Sequence, residues 1–597
     1  MKWTLLFAAL ISGFWVWGQD SLATALPEIN VSDNRLSIPF QENAHAITVI
    51  NQKQIQAFPA HSTVELIQHF AGIDVRQRGV HGVQADVSLR GSSFDQVLVL
   101  IDGIPLIDPQ TGHHSMNLPI TKEAIQRIEI IKGPSARIYG PNAFAGAINI
   151  VTKSGRKKSL AATFEAGDFG LWKAQMNANL PDSKTFISLS TQESKGYKYN
   201  TDYQLTNGFF RKDWQIKNTF WKLLGGMTSR KFGANGFYAS PKFKDQYEEI
   251  QTSITALQMS THTGHWYVSP RIYWRRNQDM YLFIRHKPEV YRNMHISHNL
   301  GAEIHTKYQA KQFTTGLGLT ANRFLLQSNK LGPHARTAIG FFLEERIQLF
   351  DNQLDIIPGF NLHYYSDFGA KWFPGLDIGW TINDHWKAYA NAGYTWRAPS
   401  YTDLFYESQA NIGNPNLQPE SALTFEIGSK WHQKNISAQW AAFRRNGDQI
   451  IDWTRTTDTA KWQPNNFNQV IAYGVETEFS FHPGRLPFLF NINYTYIQTE
   501  LNTGEVRYSR YALNNLRHQL NTNFQLNITS KANINLTYRY LDRVTLPDYD
   551  LLDGKISWTF PHFSIFAQAN NLLNQKYTET NLVEMPARWF SVGLTFF

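Results

Sequence analysis

Phe488-Leu-Phe-Asn-Ile-Asn-Tyr-Thr-Tyr496 places Phe488, Phe490, Ile492, Tyr494 and Tyr496 on one side of an extended chain and Leu489, Asn491, Asn493 and Thr495 on the other. The pattern returns further on. Leu520, Phe524, Leu526 and Ile528 alternate with Asn521, Asn523, Gln525 and Asn527, and after Thr529-Ser530-Lys531 the row Ala532, Ile534, Leu536, Tyr538, Tyr540 alternates with Asn533, Asn535, Thr537 and Arg539. One face is greasy or aromatic; the other is rich in amides. A soluble sandwich would alternate too, but with a charged outer face and strands of about five or six residues. Strands of about ten residues match the crossing length of a membrane β-strand instead.

This texture runs from residue 158 to 597, where about 20 residues per strand and connection give a barrel of about 22 antiparallel strands. Composition agrees. The 597-residue chain is 42% hydrophobic, 18% charged and 14% aromatic, with a mean hydropathy of −0.38. After the N-terminus no stretch supplies the roughly 18 consecutive apolar residues of a membrane helix, whereas barrel strands average to soluble-like hydropathy and enrich aromatics in their girdles. The absence of cysteine excludes thiol catalysis, cysteine-ligated metal, disulfide scaffolds and a lipoprotein anchor. The net charge of +9 comes from scattered residues, which argues against nucleic acid.

Met1-Lys2, the apolar run Leu5 to Trp17 and then Gly18-Gln19 read as a signal peptide over residues 1–18. Export plus a barrel points to a bacterial outer membrane. Residues 19–45 form a polar arm with Pro27 and Pro39. Residues 46–153 have a compact α/β texture, with strand candidates at Ile47 to Ile50, Val97 to Ile101, Ile128 to Ile131 and Ala147 to Val151. Ser62-Thr-Val-Glu65 is a capping box expected to open a short helix to Phe70. A globular domain ahead of a large barrel suggests a plugged pore.

Leu89-Arg-Gly91, Val97-Leu-Val-Leu-Ile-Asp-Gly103, Ile128-Glu-Ile-Ile-Lys-Gly-Pro134, Tyr139-Gly140 and Gly146-Ala-Ile-Asn-Ile-Val-Thr-Lys153 resemble the successive plug motifs of TonB-dependent outer-membrane receptors. Trp396-Arg-Ala-Pro399, Gly413-Asn-Pro-Asn-Leu-Gln-Pro-Glu420, Asn571-Leu-Leu573 with Tyr577, and terminal Phe597 resemble that family's barrel motifs. The resemblance spans residues 26–597. It implies a transmembrane barrel closed by an N-terminal plug, no enzymatic activity, no cofactor, and energy-coupled uptake of a scarce, bulky nutrient. The implied partners are TonB with its inner-membrane motor complex, a small-molecule ligand, outer-membrane lipid and the barrel insertion machinery, with a surface lipoprotein left open. By position, Glu28, Ile29, Asn30, Val31 and Ser32 are similar to the TonB box, which docks as an added strand; composition alone reads them as a tether.

Parity sends Glu426, Gly428 and Lys430 into the lumen, opposite Phe425 and Ile427, and sends Glu476 and Glu478 inward with Gly474. The plug residues Arg90 and Lys132 stand at the family's basic positions, which implies ion pairs to Glu426 and Glu476; solvated luminal charge is the other reading. Ligand contacts are expected from the plug segments carrying Arg76, Arg78, His81 and Gln84, and Gln110, His113, His114 and Asn117. Aromatic loops at 195–212, 230–248 and 400–418, the last with Tyr401, Phe405 and Tyr406, are expected to close over the ligand. Side chains of the adjacent His113 and His114 diverge and no local ligand spacing surrounds them, so no metal site is expected. Asp245, Glu248 and Glu249 are a thin candidate for calcium.

The sequence has no nucleophile elbow, His-Glu-x-x-His or phosphate loop. A passive porin or adhesin lacks a use for the arm, and a soluble secreted β protein would not partition into outer membrane. Residues 400–413 contain no histidine, unlike haem receptors between the corresponding boxes. The compact size and the plug motifs look most like cobalamin receptors, with ferric-siderophore receptors close behind.

Overall fold

The computed structural model describes residues 44–597 except 135, 156–157, 181–183, 239–241, 485, 502–507, 511–514 and 581–582. The expected signal peptide and residues Glu28 to Ser32 lie outside the described residues. Twenty-two strands close into an antiparallel barrel, from Ser159–Gly167 to Trp589–Phe596. Each pairs with its neighbour, and the last closes on the first from Ser591 opposite Gly167 to Phe596 opposite Ala162. Closure leaves no open edge, so every strand amide within the lipid finds a partner.

The alternation read from the sequence is the alternation of the wall. Phe425 and Ile427 are 46% and 57% exposed on the outer surface, while Glu426 between them is 2% exposed inside. Connections at one end of the barrel are tight, such as residues 217–218, 264–265 and 434–435; those at the other end are long, such as 398–419 and 449–469. Several strands exceed the crossing length, Arg292–Gln309 reaching 18 residues. Two expected loops are accordingly shorter than the sequence suggested: Tyr203–Ile216 and Thr219–Gly233 are strand, leaving residues 195–202 and the described residues among 234–246 as loops. The aromatic residues that suggested loops are partly inward-facing strand residues, Tyr203 and Phe232 being buried and paired.

The plug fills the lumen. Its sheet runs in the order Ile47–Asn51, Ile125–Lys132, Gly146–Thr152, Val97–Ile101, Ile104–Pro105, with Val97–Ile101 parallel to Gly146–Thr152. These apolar runs are covered on both faces, which suits their lack of alternation. Ile50, Ile101, Ile128, Ile130 and Ile148 are buried together, and the cluster continues onto Phe186, Phe209 and Leu224 of the wall. A hairpin of Ile73–Gln77 and Ala85–Leu89 stands beside this sheet. Ser62 caps the helix Thr63–Ile67 by accepting from the Glu65 amide at 3.2 Å. The capping box is half made: Glu65 turns away to accept from the amides of His61 (2.7 Å) and His81 (2.8 Å), and the helix stops at Ile67 instead of Phe70.

An Ile427→Arg substitution places a cation on the lipid face near the middle of Glu420–Gln433. It should destabilise the inserted barrel by about 2–4 kcal/mol in denaturant titrations from lipid vesicles. A change below 0.5 kcal/mol would mean that this face does not meet lipid.

Candidate functional site

Arg90 sits at the end of the hairpin strand Ala85–Leu89 with φ of 51°, followed by Gly91 at 69°. That turn aims its guanidinium at the wall. Arg90 Nε and Nη2 donate to Glu476 at 3.0 and 2.9 Å, Nη1 donates to Glu426, and the group lies 4.5 Å over the Phe443 ring. Lys132, fully buried at the end of Ile125–Lys132, donates to Glu478 at 2.8 Å and lies 3.3 Å from Glu476. Burial works against the charge on Arg90, but the two glutamates outweigh it and hold the proton more tightly than in water. Gly72 (φ 72°) is required here, because a Cβ would lie 2.0 Å from Glu476 Oε1.

Further contacts of this kind join plug to wall. Arg137 donates to Asp377 Oδ1 at 2.6 Å and to Glu344 at 2.9 Å, with His45 Nε2 2.6 Å from Asp377. Asp74 accepts from Arg543 at 2.7 Å and from Arg76 at 3.0 Å. Neither set follows from local sequence: Arg137 stands between Ile128–Pro134 and Tyr139-Gly140, and strand parity places Asp377 and Glu344 inside without saying what they meet. Burial pushes the Asp74 carboxyl up, yet Arg543 and Arg76 together bring it down from 3.8 to about 2.

At the loop end, an open cleft lies between the plug and the wall, lined by Phe94, Asp95, Asp108, Arg336, Tyr365 and Arg397 among others. Its rim carries the helix Tyr401–Phe405, capped by Ser400 and Asp403 in a reciprocal box. The first amides of that helix rest on the plug, Tyr401 N donating to Pro109 O at 3.0 Å and Thr402 N to Gln110 O at 3.1 Å. Arg336 pairs with Asp367 at 2.6 Å and Arg397 with Glu420 at 2.5 Å, so both cations of the cleft are matched. Burial pushes the Asp95 carboxyl up to about 6, Arg397 opposing and Asp403 and Glu420 reinforcing.

The residues expected to contact ligand fall into two groups. Arg76, Arg78, His113, Phe405 and Tyr406 are half-buried. Arg78 and His113 both hold Asp86, at 2.7 Å each, and the His113 ring stacks on Phe94 at 4.0 Å. Phe405 stacks on His334 at 4.1 Å, and Tyr406 meets Tyr291 through their hydroxyls at 3.2 Å. His81, Gln84, Gln110, His114, Asn117 and Tyr401 are turned inward. His81 hydrogen-bonds the Tyr203 hydroxyl, and burial, with the nearby His61, lowers its pKa well below 6.5. Gln84 donates to His113 O at 3.1 Å and Gln110 to Asp279 at 3.2 Å. The acids weighed for calcium separate by strand parity: Glu248 points into the lumen to Tyr238, while Glu249 points outward to Tyr247.

Replacing Glu476 by Gln removes one carboxylate from Arg90 and Lys132 while leaving the strand ladder intact. The plug should lose about 3–5 kcal/mol of docking stability, seen as faster amide exchange at residues 72–91 with an unchanged barrel melting temperature. Asp74 gives a pH test. Its folded pKa lies below the ordinary value, so its stabilisation is complete above about pH 4 and fades as pH falls through about 2. Acidification over that window should raise single-channel leak in planar bilayers, and Asp74→Asn should remove a share on the order of 2 kcal/mol of the dependence.

Comparison with known proteins follows the same division of the chain. Residues 39–147 match the TonB-dependent Receptor Plug Domain, and residues 141–572 match the TonB dependent receptor-like β-barrel. The chain is 23% identical to the vitamin B12 transporter BtuB of Vibrio vulnificus, covering 95% of this chain and 94% of that one. It is 22% identical to BtuB of Photobacterium profundum over 79% and 78% of the two chains. Among solved structures, the siderophore receptor PirA of Pseudomonas aeruginosa superposes with a TM-score of 0.74 at 17% identity, covering 93% of this chain and 99% of that one. A mutant of the ferric enterobactin receptor PfeA of Pseudomonas aeruginosa gives 0.77 at 15% identity over 93% and 99%. With both the plug and the barrel matched in order, and the barrel match alone spanning most of the sequence, the chain belongs to the TonB-dependent receptor family.

Proposed function

We propose that this receptor sits in the bacterial outer membrane and imports cobalamin, drawing energy from TonB through Glu28 to Ser32. The observation that carries the substrate is the similarity to vitamin B12 transporters along nearly the whole chain. The cleft supports it. Arg336 and Arg397 are each neutralised by a carboxylate, leaving at this surface no paired surplus of cations for a strongly anionic chelate. A ferric siderophore is the second reading, favoured by the fold shared with PirA and PfeA. In this orientation the tight turns face the periplasm and the long loops face outward, as bacterial barrels are built. The cleft then opens to the exterior, and the arm that precedes the plug reaches the periplasm.

The plug contacts suit such a cycle. They are costly to break one at a time, so the lumen stays shut at rest, and a pull on the arm would load the strand Ile47–Asn51 first, since it is the plug's first strand. Ala46 N donates to Glu426 at 3.2 Å and Thr48 to Glu478 at 2.7 Å, which couples the arm's attachment directly to the Arg90 and Lys132 partners.

Growth of a vitamin-limited strain with and without this gene tests the substrate; equal growth, together with binding of a ferric siderophore by the purified receptor, would replace cobalamin by the second reading. Deleting Glu28 to Ser32 should leave labelled-ligand binding unchanged and abolish accumulation in cells, because the segment contributes an added strand and no core. Undiminished accumulation would sink the coupling.

A further inference from the structure

Glu248, Asp279 and His295 lie on the inward face of three successive strands near the loop end. Asp279 stands cross-strand from both Ile250 and His295, and Glu248 is its diagonal neighbour. The plug loop brings His114 to the same place. One ligand atom from each of His114, Glu248 and Asp279 lies within 4.8 Å of the others, and all three residues are buried.

The charge balance here differs from that of the other plug contacts. Glu426, Glu476, Asp377 and Asp74 each face an arginine. Among the described residues, neither Glu248 nor Asp279 forms an ion pair with arginine or lysine; Asp279 has His114 Nε2 at 3.4 Å. Asp279 Oδ1 is buried without a hydrogen-bond partner, in a residue only 6% exposed. A carboxylate oxygen without a hydrogen-bond partner beside a second buried carboxylate is a costly arrangement unless a proton shared between the two acids or a bound cation completes it.

We propose that His114, Glu248 and Asp279 bind a divalent transition-metal cation of the Zn²⁺ type, which ties the plug loop to the barrel wall. One imidazole nitrogen and two carboxylates make a mixed N/O set that suits such an ion and is too small and too nitrogenous for calcium, which takes six to eight oxygens. A tetrahedral shell with bonds of about 2.1 Å spaces its ligands about 3.4 Å apart, within reach of side-chain rotation from the observed cluster. The surroundings hold each ligand in place. Asn117 Nδ2 lies 3.1 Å from His114 Nδ1 and donates to it as placed; turning the amide over would set its oxygen there to accept the Nδ1 proton and leave Nε2 to the metal. Gln110 donates to Asp279 Oδ2 at 3.2 Å and Tyr238 donates to Glu248 Oε2. Local sequence spacing gave no hint of this, because the ligands come from three separate segments. His113, the other member of the pair, turns to Asp86 and takes no part.

The test uses the full-length receptor, purified in detergent without a histidine tag and stripped with chelator. Calorimetric titration with Zn²⁺ should give one site with a micromolar or tighter Kd. Asp279→Asn, His114→Ala and Glu248→Gln should each weaken it at least tenfold, and His113→Ala should not. Heat-modifiable migration on gels reports that each variant is folded. Zn²⁺ should also slow amide exchange at residues 110–117 in the wild type and not in Asp279→Asn. Absence of a stoichiometric site in the wild type, equal weakening by His113→Ala, or calcium binding as tight as zinc that survives His114→Ala would each overturn the proposal. Since none of these readouts uses cobalamin, failure here leaves the substrate assignment standing, and failure of the substrate leaves this site.

Discussion

A guanidinium removed from water needs carboxylates around it, and Arg90 has two, from strands that are not neighbours in sequence. Its plug neighbour Lys132 shares one of them and adds Glu478. Once this cluster forms, the plug's position in the lumen is fixed, because moving the plug would leave charges buried and unmatched on both sides. Apolar contact alone is not directional; the ionic contacts set where the plug sits, and the apolar sheet behind Ile128 and Ile148 gives it a reason to stay folded there.

The same arrangement explains why the wall tolerates so many inward charges. Lipid requires the outer face of every strand to be apolar, so all polar chemistry is confined to the lumen, where a plug can meet it. Arg137 with Asp377 and Glu344, and Asp74 with Arg543, repeat the device on other strands of the wall. A plug held by discrete charge clusters, each coupled to hydrogen-bonded backbone, is firmly seated at equilibrium. Under a pull applied from one end, it gives way contact by contact. The loop end adds to its ion pairs the aromatic stacking of His334 on Phe405 and a short capped helix resting on the plug loop. Those added contacts are weaker singly and suit a surface that must admit a ligand.

The barrel was legible because lipid imposes a period-two rule that leaves its mark on every strand: Phe490, Ile492 and Tyr494 against Asn491, Asn493 and Thr495 carry it without reference to any neighbour. Parity likewise sent Glu426, Glu476 and Glu478 inward. What parity does not contain is distance. Asp377 and Glu344 obey the same rule, yet nothing local says that Arg137 reaches both. The ends of elements were less legible for a related reason: Glu65 abandoned its capping box because His61 and His81 amides, brought close only by folding, competed for its carboxylate.

The sequence by itself determined that there is a barrel, how its strands alternate and which wall residues face inward, since each of these follows from a short-range pattern enforced by lipid or by backbone geometry. Only the tertiary structure decided which charges meet, that His81, Gln84 and Asn117 turn inward while Arg78 and His113 share Asp86, and that His114 faces Glu248 and Asp279. Those pairings join residues up to several hundred positions apart, and they depend on how the plug is rotated inside the wall. That rotation is the outcome of the charges of plug and wall meeting together, a condition no single segment can express.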